Sequence, residues 1–274
     1  MSARGQAILS SVSELADEHI DLGRCALAIA LIEYPSLEID RVLHHLDVMA
    51  NQVGAPSRDG AMERLERLRH LLFETMKFAG NTKAYDDPRN SFLNEVLNRR
   101  LGIPISLSVV TMEVGKRIGL DIHGVGLPGH FIVGMNLDSS SVYFDPFSQG
   151  RLLTERDCRQ LVKGMFAGEL PFRQKYLEPQ RKKDILTRML RNLKHIYIRK
   201  NDCERALATI DLILCVNPRS PDEIRDRGLV YYQMECFKAA LEDLRTYLAG
   251  SPKQATDEVR SLVSAIERKV SLLH

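Results

Sequence analysis

Tryptophan is absent from the 274 residues, and so is any excess of charge of one sign: 38 Lys and Arg stand against 36 Asp and Glu, a formal net charge of +2. Without indoles one common stacking surface is missing. The near balance of charge argues against a dedicated nucleic-acid binder, whose binding domain is strongly basic. No stretch reaches the ~18 apolar residues of a membrane span, so neither nucleic acid nor membrane is the expected partner. The opening segment MSARGQAILSSVSELADEHIDL lacks the apolar run, ~7–15 residues long, of a signal peptide; it reads as an amphipathic helix with acids in it. The five cysteines, Cys25, Cys158, Cys203, Cys215 and Cys236, form no CxxC or CxC pair, which removes the usual zinc spacings. Their odd number and scatter do not suit a disulfide framework. The expectation is a reduced, cytoplasmic protein with no metal and no cofactor.

What is present is ample apolar material, 44% of the chain, and a length that suits one to two domains. Up to about residue 80 the apolar spacing is helical. Ala26 to Glu33 is an apolar run ended by Tyr34-Pro35, while Ile39 to Val53 and Ala61 to Phe78 repeat apolar residues at three and four. Asn90 to Arg100 reads as a short helix with Ser91 as possible N-cap. Pro104 then suits the first position of a helix that ends near Gly119. Extended segments follow at Ile122 to Val125, His130 to Leu137 and Val142 to Phe147. The last two read as a hairpin about Asp138-Ser139-Ser140. Helices return after Arg151, and the polar stretch 171–184 reads as a linker.

From Leu186 onward the chain repeats at a period of 34: Tyr197 matches Tyr231, Ala206 matches Ala240 and Pro218 matches Pro252. This resembles the tetratricopeptide repeat, with a tyrosine in helix A, a small alanine where helix B crosses it and a proline that ends helix B. Leu190 and Ile224 take the usual tryptophan-like position. Lys194 and Gly228 take the helix-A glycine position. Thr256 to Leu273 supplies a charged helix able to cap the array. Such repeats bind peptides along the helix-A face, where the periodicity places Arg188, Arg191, His195, Arg199 and Arg225. A cationic groove of this kind favours an acidic protein or peptide partner; an ordinary solvated basic face is the alternative.

Three motifs carry little. Gly124-Val-Gly126-Leu-Pro-Gly129 has the letters of a dinucleotide loop, but Pro128 interrupts it and an extended segment, not a helix, follows. His44 and His45 point ~100° apart on a helix, which is not the two-histidine face of a zinc site. Arg181-Lys-Lys183 is too short for a nucleic-acid footprint. The better constellation is His130 with Asp145, which flank the hairpin turn and so fall nearly opposite or diagonal on one face. A carboxylate beside an imidazole fixes its tautomer and stabilises the imidazolium; a purely structural hydrogen bond is the other reading.

The run NSFLNEVLNRRLGIPISLSVVTMEVGKRIGL, then GVGLPGHFIVG, then YFDPF, resembles the transglutaminase-like core. It is most similar to a bacterial branch, often called SirB-like, that joins this core to C-terminal tetratricopeptide repeats. The resemblance implies an α+β protein. Helices over 1–80 would pack on a papain- or transglutaminase-like core over 81–170, a helix on a small antiparallel sheet. The linker 171–184 and two all-α repeats with a capping helix over 185–274 would follow. In the superfamily a cysteine at the start of the core helix attacks an acyl group, a histidine on the following hairpin is its base, and an aspartate orients that histidine. By position His130 and Asp145 carry the last two roles, but the cysteine position is Pro104.

Ser106 is the nearest substitute for the missing cysteine. It lies at a helix end that favours an oxyanion, but the two-residue shift turns its side chain ~200° around the helix. A relocated Cys25 or Cys158 is a further option. Asn94, Ser91 and Arg100 precede the helix and are candidates to line the cleft. The favoured expectation is a regulatory or protein-interaction protein with a degenerate, non-catalytic core. The alternative is a hydrolase or acyltransferase using Ser106, or a relocated cysteine, with His130 and Asp145.

Overall fold

Apolar spacing at three and four turns most of the chain into helices, and one short stretch of β-branched and aromatic residues into a sheet. The computed structural model describes residues 3–54, 60–137, 140–250 and 257–272. The chain separates into two units, one of Leu15–Met189 and one of Met1–Glu14 with Leu190–His274.

The first helix, α1 (Ala3–Ser10), belongs to the second of these units. The core unit then begins with α2 (Leu22–Ile29), whose first turn is capped by the Asp21 carboxylate accepting from the Arg24 amide. It continues with α3 (Ile39–Val53), α4 (Ala61–Arg69) and α5 (Leu93–Arg99), which ends on Arg100 in the left-handed region, φ 58°. The centre is α6 (Pro104–Arg117), buried along almost its whole length. It packs on α2, α3, α4 and α5 and also on the sheet. Pro104 is its first residue, where the missing N–H has no helical partner to lose.

Two short strands, β1 (Ala79–Gly80) and β2 (Leu101–Gly102), pair in parallel just before α6. The main sheet is antiparallel in the order β3 (Ile122–Val125), β4 (Ile132–Leu137), β5 (Ser140–Asp145), β6 (Arg151–Leu153). The hairpin has the expected register, Leu137 opposite Ser140 and Val133 opposite Phe144. Of the expected turn, Asp138 and Ser139 lie outside the described residues. The fourth strand was not expected: Arg151–Leu153 extends because it finds Tyr143 to Asp145 as ladder partners. Helix α7 (Glu155–Met165) follows, with Thr154 and Asp157 exchanging cap hydrogen bonds.

The stretch expected as a linker, 171–184, is packed instead. Leu177 is buried in a cluster with Val125, Leu127, Ile132 and Cys158. The Gln180 amide donates to the Gly124 carbonyl, and the Lys182 ammonium donates to the Ile20 carbonyl oxygen. Leu177 and these bonds fix the stretch, while Arg173, Gln174, Lys175, Glu178 and Arg181 stay exposed.

In the repeat unit the second part of α8 (Lys182–Arg199) is followed by α9 (Cys203–Val216), α10 (Pro221–Gln233), α11 (Phe237–Gly250) and α12 (Asp257–Leu272). The crossing positions read from the period are filled as expected: Ala206 and Ala240 are fully buried, and so is Tyr197. A Cβ on Gly228 would come within 2.8 Å of the Leu244 side chain, so glycine is what lets α10 and α11 approach. Val259, Val263 and Ile266 bury the inner face of α12, as a capping helix requires; Pro252 lies outside the described residues. Helix α1 packs on α9 with Leu9 fully buried. Helix α1, expected among the helices of the core, thus belongs to the repeat unit. Its short apolar face covers a repeat helix that would otherwise be left wet.

Candidate functional site

The hairpin brings His130 and Asp145 together. By the strand register Asp145 stands level with Ile132, so His130, two residues earlier in the loop that enters β4, is its diagonal neighbour. The ring Nε2 lies 2.9 Å from the Asp145 Oδ2, and both side chains are buried, 7% and 3% exposed. A tight turn holds the loop, the His130 amide donating to the Leu127 carbonyl. Asp145 is held in turn: the Phe147 amide donates to Oδ1 at 2.9 Å and the Ser148 hydroxyl to Oδ2 at 2.8 Å. Burial pushes this carboxyl up, but the hydrogen bonds from His130, Ser148 and Phe147 outweigh it and leave it below the ordinary carboxylate range. Asp145 is thus an ionised orienter with its lone pairs occupied.

One face of the imidazole is covered by an aromatic chain. The Phe147 ring meets His130 edge to face at 6.1 Å, and Tyr85 meets Phe147 at the same distance. Gly80 makes room for this, since a Cβ there would stand 2.4 Å from the Phe147 ring. The opposing backbone is tied by the Gly80 amide donating to the Phe147 carbonyl. Arg188 is the other neighbour. Its Nη2 donates to the His130 carbonyl oxygen at 2.8 Å and to that of Leu127 at 3.3 Å. The early turns of α8 therefore serve the core unit, and Arg188 does not stand on a repeat groove as the helix periodicity predicts.

Ser106 is not brought to the pair. It is fully buried at the third position of α6, and its hydroxyl donates to the Asn90 carbonyl oxygen at 2.6 Å while accepting from the Ile103 amide at 3.1 Å. Its role here is to close the helix start. The relocated thiols fare no better. Burial pushes Cys25 up to about 12 and Cys158 up to about 11, so both stay protonated at neutral pH, and the thiolate is the nucleophile. Asn94 is in another place: it lines a cleft of about 710 Å³ with Arg41, His44, His45 and Asn98, its Oδ1 without a partner among the described residues. Ser108 went unremarked in the sequence. It lies one turn after Pro104 and so on the same helix face, fully buried, with a hydroxyl that has no partner among the described residues.

In the repeat unit part of the expected basic face is paired with carboxylates. Arg191 Nε lies 2.8 Å from Glu223, and Arg225 meets Asp226 at 2.7 Å and Asp222 at 3.2 Å. Lys194 lies between Glu223 and Asp226 at 2.6 and 2.7 Å. His195 and Arg199 stay exposed, and burial together with the Lys194 charge lowers the His195 pKa. Two of the cations expected to read an acidic peptide, Arg191 and Arg225, therefore already hold carboxylates. Among the described residues no group of His, Cys, Asp or Glu is arranged to hold a metal, and no helix is long and apolar enough to cross a membrane.

Comparison with known proteins agrees with this anatomy. Residues 40–191 match the transglutaminase-like superfamily and residues 193–266 the tetratricopeptide repeat. The chain is 37% identical over 254 residues to a UPF0162 protein of Xylella fastidiosa strain 9a5c, covering 89% of this chain and 88% of that one. It is 30% identical over 248 residues to the UPF0162 protein PA3419 of Pseudomonas aeruginosa, covering 90% of each. With the UPF0162 protein YchA of Escherichia coli K12 it shares 29% over 214 residues, 77% of this chain and 79% of the other.

Proposed function

This chain belongs to the transglutaminase-like superfamily and to its UPF0162 branch, and from that premise we propose that it is a non-catalytic regulatory protein that works by protein contacts. The observation that carries the reading is the missing nucleophile. Proline stands at the first position of α6, where the superfamily cysteine belongs. The one hydroxyl in that first turn, Ser106, is spent on Asn90. A histidine and an aspartate without a nucleophile orient nothing that attacks. On this reading the core is a pseudoenzyme, the repeats supply the partner surface as such repeats generally do, and the protein acts in the cytoplasm on a protein or peptide partner.

The retained His130–Asp145 geometry favours the alternative, a hydrolase or acyltransferase, in that a purely structural role does not need an ionised carboxylate on an imidazole. Labelling of the full chain with a fluorophosphonate and with iodoacetamide separates the two. The expected result is no labelling that disappears in a folded His130→Gln variant. Labelling that is present in the wild type and lost on His130→Gln overturns the reading.

A further inference from the structure

We propose that Arg188 is the recognition point for a carboxylate-bearing ligand of the core unit, bound beside His130. Arg188 is held firmly yet left without a counter-charge. Its Nη2 is anchored on the His130 and Leu127 carbonyls, and its guanidinium lies 5.3 Å from the centre of the Phe131 ring. Its Nε–H and Nη1 N–H groups have no partner among the described residues, and no carboxylate pairs with it. Arg117, Arg191, Arg225 and Arg227 each have one or two. Arg188 is half-buried, and a guanidinium does not shed its proton to escape the cost of burial. Burial disfavours its charge, and the ionisable side chain that bears on it is Tyr85, a phenol that burial itself holds in the neutral form. A cation drawn this far from water is ordinarily paired; the partner this half-buried one lacks is an anion that arrives.

The chemistry of that anion follows from its surroundings. A single guanidinium balances a monoanion. The ionised Asp145, which shares His130 as neighbour, opposes a dianion such as phosphate. Tyr85 is half exposed and continues the aromatic chain through Phe147 to His130, so the carboxylate belongs to a molecule with an apolar or aromatic portion. The inference holds whether or not the core has chemistry, and its failure leaves the labelling result of the preceding section standing.

The test is a titration of the full chain, followed through the His130 ring resonances, with N-acetyl-L-phenylalanine, acetate, inorganic phosphate and the neutral amide acetamide. The two carboxylates are expected to give saturable shifts, the aromatic one at lower concentration, with phosphate weaker and acetamide inert. Arg188→Gln is expected to weaken carboxylate binding roughly tenfold or more, as loss of a charge-assisted hydrogen bond does, and Arg188→Lys to retain part of it. The wild-type titration alone overturns the proposal if no carboxylate shifts His130 saturably, or if phosphate or acetamide binds as tightly. An affinity unchanged in folded Arg188→Gln overturns it as well.

Discussion

The Ser106 hydroxyl donates to the carbonyl oxygen of Asn90 across 2.6 Å, sixteen residues away in the chain. That bond ties the segment before α5 to the first turn of α6, and the Ser106 hydroxyl oxygen accepts from the Ile103 amide. Ser106→Ala leaves the Ile103 amide and the Asn90 carbonyl with only their long mutual hydrogen bond of 3.4 Å. The expected cost is about 1–3 kcal/mol, read as a lower urea midpoint with the slope unchanged. A Ser106→Ala protein as stable as the wild type would show that this contact does not hold the helix start.

Lys194 occupies the position where the repeat pattern calls for glycine, and only 3% of it is exposed. Its ammonium is shared between Glu223, 1% exposed, and Asp226. Removing one member of a buried ion pair strands the other, which costs about 3–5 kcal/mol. Lys194→Met is therefore expected to melt the repeats well below the wild type, and Lys194→Met with Glu223→Gln to recover a large part of the loss. Circular dichroism melts of these two variants, of Glu223→Gln alone and of the wild type measure the coupling, and additive losses would mean that the pair is not energetically linked.

Gly80 controls the ring over His130. A Cβ at that position would stand 2.4 Å from the Phe147 Cε2, closer than atoms tolerate, so the ring must move. Gly80→Ala is expected to shift the His130 ring resonances and to destabilise the core by about 1–3 kcal/mol, the usual cost of overpacking. Unchanged His130 resonances in Gly80→Ala would show that Phe147 yields without disturbing the imidazole.

Much of this was legible before the structure. The 34-residue period placed Tyr197, Ala206 and Ala240 correctly because a repeat buries the same positions each time. The hairpin put His130 beside Asp145 because strand pairing is a matter of counting. Pro104 was legible as the first residue of its helix because proline suits that position. Arg188 and α1 were not legible, for one shared reason: a period reports which residues share a helix face, not which body that face meets. Helix α8 is continuous through the boundary between units, so its first turns carry the same spacing as its repeat turns. The pairing of Arg191 was hidden in another way. Arg191 finds Glu223 thirty-two residues later, a pairing between side chains of α8 and α10 that no local spacing reveals. Ser106 was half legible: its ~200° rotation from Pro104 predicted that it points elsewhere, but not that Asn90 waits there.

His123 gives the core a pH dependence with a definite sign. It stands on β3 opposite Gly134, whose missing Cβ leaves space for the ring. Burial lowers its pKa, with Asp121 opposing only in part. The folded state therefore binds the proton less readily than the unfolded chain, whose histidines titrate near ~6.5. Stability is full above that unfolded value, falls as pH drops below it, and levels off once the pH is below the folded value. The core transition is thus expected to shift down between about pH 7.5 and pH 5.5, and the shift to shrink in His123→Gln. Direct titration of the His123 ring resonances checks the premise: a midpoint at or above that of a free histidine would reverse the sign of the effect. The variant separates this histidine from His195, whose lowered pKa acts in the repeat unit and is untouched by the substitution.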